Sequence, residues 1–126
     1  MTTRVLLGIA LLSLMIGCSK GPPLAAPVDP DKARTSLRTT LDAWKAGKPI
    51  DAMEKESPPI TAQDFDWMAG AKLTDYKVLG DGKAEDANLR VPVQLMIRDS
   101  QGRAATKTVN YIVGTDPKIT VFRAFE

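Results

Sequence analysis

Residues 88–98, NLRVPVQLMIR, alternate apolar and polar side chains. The apolar members recur with a period of two: Val91, Val93, Leu95 and Ile97. This period is typical of a β-strand with one buried face. Pro92 falls on the other face and has no N–H to donate to a strand ladder, so we expect an edge or a bulge at that end of the strand.

Three further segments have the composition of β-strands: 72–79 (KLTDYKVL), 106–113 (TKTVNYIV) and 119–125 (ITVFRAF). The connections DSQGR at 99–103 and GTDPK at 114–118 are short. Gly102 can adopt a positive φ angle, and Pro117 suits the second position of a turn. The C-terminal half therefore predicts a four-stranded antiparallel meander.

An amphipathic helix is predicted ahead of these strands, at about 30–46. Asp29 can cap it, Pro30 suits its first position, and Gly47 with Pro49 ends it. One apolar stripe runs along it: Ala33, Leu37, Leu41 and Trp44. One helix followed by four strands predicts an α+β domain in which the helix packs on one face of the sheet.

This order of elements resembles the cystatin-like and NTF2-like group of α+β rolls, over about residues 29–126. The resemblance implies a curved sheet that wraps the helix. NTF2-like enzymes place an acid and a tyrosine inside the roll, and the comparable residues here are Asp75 with Tyr76 or Tyr111.

Residues 49–70 are the least regular part of the domain. We expect a short helical turn at 51–55, and we expect ITAQDFDWMAG, residues 60–70, to fold across one end of the domain. Three of its side chains are too apolar for a free loop, and they either pack inside or form an interaction surface: Phe65, Trp67 and Met68. Asp64 and Asp66 would face the same way in an extended chain and could act as pocket acids. Alternatively, both carboxylates are solvated, or Asp64 caps a turn.

The N-terminus has the pattern of an export signal, with Arg4 before an apolar run from Val5 to Gly17. That run is shorter than the roughly 20 residues of a membrane-spanning helix. Met15-Ile16-Gly17-Cys18 resembles the lipobox of bacterial lipoproteins, which implies cleavage before Cys18 and lipidation of its thiol. The alternative is an ordinary signal peptide.

The resulting organisation is a signal peptide at 1–17, a lipidated cysteine with a proline-rich tether at 18–28, and one domain at 29–126. The lipid on Cys18 would anchor the domain to a membrane, facing the periplasm. Ser19 after the cysteine favours the outer membrane.

The amino-acid composition limits the reactions, metal sites and partners that this chain can have. The chain has no histidine, and its one cysteine is Cys18, so it lacks the usual neutral-pH base and the commonest metal ligands. We expect no metal, no cofactor and no enzymatic activity. The formal net charge is +2, with both signs interspersed, and this predicts no nucleic-acid partner.

Three functions remain as hypotheses, the third being a purely structural spacer or filler of the cell envelope. The first is a non-enzymatic accessory module that binds another cell-envelope protein, with the segment Phe65 to Met68 as a candidate surface. The second is a pocket protein that binds a small hydrophobic molecule inside an NTF2-like roll, with or without catalysis by Asp64, Asp66 or Asp75. The second requires a roll that is not filled by its own side chains.

Overall fold

The structure is a computed structural model that describes residues 26–126. Cys18 and the predicted signal peptide lie outside the described residues. The helices are α1 (Pro30–Lys45), a 3-10 helix (Ile50–Lys55) and the one-turn α2 (Phe65–Met68). The strands are β1 (Ile60–Gln63), β2 (Lys72–Val78), β3 (Lys83–Glu85), β4 (Asn88–Arg98), β5 (Ala104–Gly114) and β6 (Ile119–Arg123).

The α1 helix forms where the sequence predicts it. The Asp29 side chain accepts a hydrogen bond from the backbone N–H of Lys32, and Pro30 stands at the first helical position. The whole predicted stripe is buried against the sheet: Ala33, Leu37, Leu41 and Trp44. Gly47, with φ +82°, ends the helix, because it adopts the left-handed conformation that a C-terminal cap requires.

The sheet is larger than predicted and its pairing is mixed. Its strands lie in the order β1-β6-β5-β4-β2, and β3 pairs separately with β4. The neighbours β2–β4, β4–β5 and β5–β6 are antiparallel, but β1 runs parallel to β6. The prediction of a four-stranded antiparallel meander is therefore wrong in strand number and in pairing, whereas the α+β class is confirmed.

Two short strands account for the difference. β1 has only four residues, too few for a clear alternation, yet Ile60 and Ala62 lie opposite Ile119 and Val121 of β6. β3 has three exposed residues and forms a tight hairpin with the start of β4, in which Glu85 pairs with Asn88. β1 is selected by pairing with a strand far along the chain, which outweighs its weak local signal.

Pro92 is accommodated in a gap of the ladder. The backbone oxygen of Pro92 accepts from Leu79 on the β2 side, so its nitrogen also points to that side. There, pairing with β2 stops at Val93 and pairing with β3 starts at Arg90. The missing N–H therefore leaves no ladder partner unsatisfied.

The interior between α1 and the sheet is filled by side chains. The five residues whose packing would close the predicted NTF2-like pocket are all at most 3% exposed: Leu41, Trp44, Val93, Leu95 and Tyr111. Most of the apolar area of this small domain is thus used in one core.

Substitutions at Gly82 and Gly102 distinguish the cost of backbone strain from the cost of side-chain crowding. Both have positive φ angles, +90° and +81°, but a Cβ on Gly82 would lie 2.9 Å from the Leu89 side chain, whereas nothing lies within 4 Å at Gly102. Gly102→Ala should cost about 1–2 kcal/mol of strain. Gly82→Ala should cost that and about 1–3 kcal/mol of overpacking in addition. Urea unfolding measures both, and equal losses would contradict the crowding argument.

Candidate functional site

The segment DFDW, residues 64–67, forms the start of α2. The Oδ1 atom of Asp64 accepts hydrogen bonds from the backbone N–H groups of Asp66 and Trp67, at 2.9 and 3.2 Å, and so caps the turn. Gly70, with φ +93°, ends it. In this turn Asp64, Phe65 and Asp66 all contact Arg123, whereas Trp67 points the other way and packs on Trp44.

A buried charged cluster fixes α2 to the sheet. Arg123 of β6 lies opposite Tyr111 of β5, and Asp64 follows directly after β1, which pairs with β6 on its other side. The Arg123 guanidinium donates to Asp64 at 3.2 Å and to Asp66 at 2.8 Å. The Tyr111 hydroxyl donates to Asp64 Oδ2 at 2.5 Å, and Lys107 Nζ lies 3.2 Å from Asp66.

Three groups of this cluster, Asp66, Tyr111 and Arg123, have pKa values shifted further from neutral pH. Burial, followed by the nearby Asp64 carboxylate, raises the pKa of Tyr111 well above its usual range, so its hydroxyl remains a donor. Burial opposes ionisation of Asp66, but hydrogen bonds from Arg123 and Lys107 outweigh it and lower the pKa of that carboxyl. Burial also opposes the charge on Arg123, yet its carboxylate partners leave the pKa raised. Groups whose charge states are fixed in this way can stabilise the fold but are poorly suited to proton transfer.

Phe65 closes the cluster on its outer side. Its ring lies 4.3 Å from the guanidinium carbon of Arg123 and stacks on Phe125, with a centroid distance of 5.6 Å. The cation–π contact shields a guanidinium that is only 4% exposed. Phe65 itself remains 44% exposed and Phe125 89% exposed, so the pair forms an apolar patch on this end of the domain.

Removing the arginine charge should strongly destabilise the domain. Arg123→Leu leaves Asp64 buried without its charged partner, and breaking such a pair costs about 3–5 kcal/mol. The matched control is Arg103→Leu, because Arg103 pairs with Asp99 on the surface, where water and salt screen the contact. Urea unfolding should show a large loss for the first variant and little change for the second. Similar losses in both would show that the buried cluster is not a special source of stability.

Trp67 turns away from the charged cluster and packs on α1. Its ring stacks on Trp44 at a centroid distance of 5.5 Å and an interplanar angle of 10°. The Trp67 indole N–H donates to the backbone oxygen of Lys48 at 3.0 Å, and that of Trp44 donates to Ala71 at 2.9 Å. The stacked pair thus joins the end of α1, the α2 turn and the start of β2.

A groove of about 630 Å³ opens at this junction. Its deepest side chains are buried and apolar: Trp44, Trp67 and Leu73. Exposed Met68 and three exposed lysines border it: Lys45, Lys48 and Lys72. No acidic side chain lines it. We refer to this site, between the end of α1, α2 and the start of β2, as the lysine-rimmed groove.

The positive charge of the groove is only partly compensated. Lys45 Nζ lies 3.3 Å from Asp75, but Lys48 and Lys72 form no ion pair with a carboxylate of residues 26–126. The C-terminal end of α1 adds a partial negative charge of about one half, which does not cancel two free ammonium groups. The groove therefore combines an apolar floor, formed by Trp44, Trp67 and Leu73, with a positive rim, formed by Lys45, Lys48 and Lys72.

A different groove lies at the N-terminal half of α1. It measures about 400 Å³ and is lined by hydroxyl groups and by charges of both signs, including Asp31, Lys32 and Glu56. Its mixed charge gives no preference for one class of ligand. The lysine-rimmed groove has the more selective chemistry.

The predicted site residues separate into distinct places. Asp64 and Asp66 come together with Tyr111 in the charged cluster, and Asp64 caps a turn, as one of the alternatives anticipated. Asp75 lies apart on β2 with its side chain 59% exposed, and the Tyr76 backbone N–H and Lys45 lower its pKa. Burial and the Asp42 carboxylate, which accepts from the Tyr76 hydroxyl, raise the pKa of Tyr76 to about 12.

The candidate interaction residues also divide. Trp67 is buried, whereas Phe65 and Met68 are exposed on either side of it. Cys18 lies outside the described residues. Sequence reasoning did not identify Arg123, Lys107, Lys48 or Lys72. For Arg123 a signal was present, because it continues the buried phase of Ile119 and Val121 along β6.

In comparisons with known proteins, no family model matches the chain, and no curated protein and no solved structure shows significant similarity to it. Within residues 26–126, no helix combines the length and the apolar character needed to cross a membrane. The same part of the chain contains no group of three or more His, Cys, Asp or Glu side chains placed to hold a metal ion.

Proposed function

We propose that this chain is a membrane-tethered, non-enzymatic module that binds another protein of the cell envelope at the lysine-rimmed groove. The observation that carries the proposal is the groove itself: an apolar floor built on a stacked tryptophan pair, three bordering lysines and no acidic lining residue. Concave sites of this size with a few convergent polar groups are where ligands generally bind.

The point at which the described chain enters the domain supports binding at this end. The described chain enters at Ala26, whose N–H donates to Asp116, and Asp29 is joined to Thr115 by a similar bond. The sixteen-residue α1 then runs about 24 Å before the groove begins. A domain anchored through Cys18 and the residues after it would therefore carry its groove at the end away from the anchor.

The acids and tyrosines of the domain support a binding role over catalysis. Asp64 and Asp66 accept hydrogen bonds from Arg123, and Tyr111 donates to Asp64. Asp75 and Tyr76 lie elsewhere, where the Asp75 carboxylate pairs with Lys45 and the Tyr76 hydroxyl donates to Asp42. The filled space between α1 and the sheet also argues against the alternative of an interior pocket. The proposed binding surface is at the end of the helix instead.

The membrane tether can be tested by intact mass and membrane fractionation of the wild type beside Cys18→Ala. The wild type should carry a diacylglycerol-sized mass increment and sediment with membranes, since several acyl chains anchor stably. The variant should lose both properties. An unmodified, soluble wild type would refute the lipid anchor and leave the groove to be judged separately.

The binding role can be tested by photo-crosslinking in intact cells, with p-benzoylphenylalanine in place of Met68. Met68 borders the groove and is 66% exposed. We expect a discrete protein adduct from this position, and we expect Lys48→Glu with Lys72→Glu to reduce it severalfold by reversing the rim charge.

The matched control places the same crosslinker at Leu79, which is 45% exposed and does not line the groove. No adduct of the same size should form there. Adducts that are equal at both positions, or unaffected by the lysine substitutions, would show that the groove is not the binding site.

A further inference from the structure

We propose that the partner presents to this groove an acidic segment containing a large apolar side chain, with the apolar group on the tryptophan floor and carboxylates on Lys48 and Lys72. This inference rests on the proposed function, and it names the chemistry of the partner that the groove selects.

The floor selects an apolar group. Both indole N–H groups, those of Trp44 and Trp67, donate to backbone oxygens of the domain itself. The stacked rings therefore present carbon surface to the groove and no free donor. Leu73 beside them is 3% exposed and adds only methyl groups. An aromatic or large aliphatic side chain is the group that gains from burial on such a surface.

The rim selects negative charge. Lys48 and Lys72 belong to different parts of the chain, one after α1 and one at the start of β2, and neither has a carboxylate partner among residues 26–126. Lys45 shares its charge with Asp75. A cationic segment would be repelled by this rim, whereas carboxylates that flank an apolar side chain would be attracted by its free ammonium groups.

The shape of the site favours a protein segment over a membrane surface. The groove is a recess of about 630 Å³, which a side chain can fill and a flat bilayer cannot. Trp44 and Trp67 are only 3% and 8% exposed within it, so the partly exposed Ile50 and the exposed Met68 add much of the apolar surface that an entering side chain would contact. The strongly exposed aromatic residue of this end, Phe125, packs on Phe65 and does not line the groove. The apolar surface that carries the lysines is thus the concave one.

The neighbouring edge of the sheet points to side-chain recognition. β2 is an edge strand and borders the groove at Lys72, Leu73 and Thr74. Its pairing with β4 is irregular at Thr74, whose hydroxyl donates to the Met96 oxygen. A bulge with charged neighbours opposes the addition of another strand. The segment is therefore held by its own side chains in the groove.

The choice of an acidic, apolar segment can be tested by peptide titration of the full-length protein. The protein is isolated in the form that the expression host produces and is held in phosphatidylcholine vesicles. The probe is the blocked hexapeptide Glu-Asp-Phe-Leu-Asp-Glu, and the control peptide is Gln-Asn-Phe-Leu-Asn-Gln. Trp44 and Trp67 are the only tryptophans of the chain, so their fluorescence reports occupancy of the floor. Calorimetry gives the Kd independently.

We expect the acidic peptide to change the fluorescence saturably and to bind at least about tenfold more tightly than the neutral one, with weaker binding at high salt. Lys48→Glu with Lys72→Glu should remove this preference, and the milder Lys48→Gln with Lys72→Gln should reduce it. The control is Lys32→Glu with Lys118→Glu, which makes the same change in net charge at the other end of α1 and should leave binding unchanged.

The other outcomes overturn the inference in distinguishable ways. Equal binding of both peptides would refute the role of the lysines, and absence of binding by both would refute a segment of this composition. A response to vesicles containing phosphatidylglycerol, without a response to peptide, would replace the protein segment by an anionic lipid surface. The Met68 adduct, measured in cells, judges the proposed binding function separately from all three.

Discussion

The contact between Arg123 and Asp64 is the interaction on which the rest of this end of the domain depends. Asp64 is a buried carboxylate that caps α2 and accepts from Tyr111, and it is placed beside Arg123 by the parallel pairing of β1 with β6. Burying two charges is costly, and further hydrogen bonds offset part of the cost. Asp64 also accepts from Tyr111 and from two backbone N–H groups, and Arg123 also donates to Asp66, although the Arg123 Nε–H has no partner among residues 26–126. This one contact fixes the α2 turn, the edge strand β1 and the last strand β6 relative to each other.

The shape of the groove depends on the α2 turn that this contact fixes. Because Asp64 caps the turn, Trp67 is directed onto Trp44, and Met68 is left at the border of the groove. The charged cluster and the groove thus lie on two sides of one short turn, the first buried and the second open. A rigid turn between them gives the open side a preformed geometry, which lowers the entropy lost on binding.

Much of the fold could be predicted from local patterns, because α1 and the long strands carry clear periods. β1 could not, since four residues show no period and its parallel pairing joins Ile60 to Ile119, far along the chain. For the carboxylates at 64 and 66 the sequence leaves an extended pair and a turn capped by Asp64 as alternatives, and the structure has the capped turn. The groove could not be predicted, because Trp44, Trp67 and Lys72 become neighbours only through tertiary packing. The burial of Arg123 could have been predicted, because this residue falls in the buried phase of β6.

The pairing of β1 with β6 also sets the order in which the domain can form. β4, β5 and β6 are successive hairpin partners, whereas β1 must wait for a strand that follows it by almost sixty residues, and such long-range contacts form slowly. Arg123 lies in that late strand. A growing chain contains both tryptophans and all three lysines before Arg123 is made, so the groove takes its final shape only after the last strand has paired.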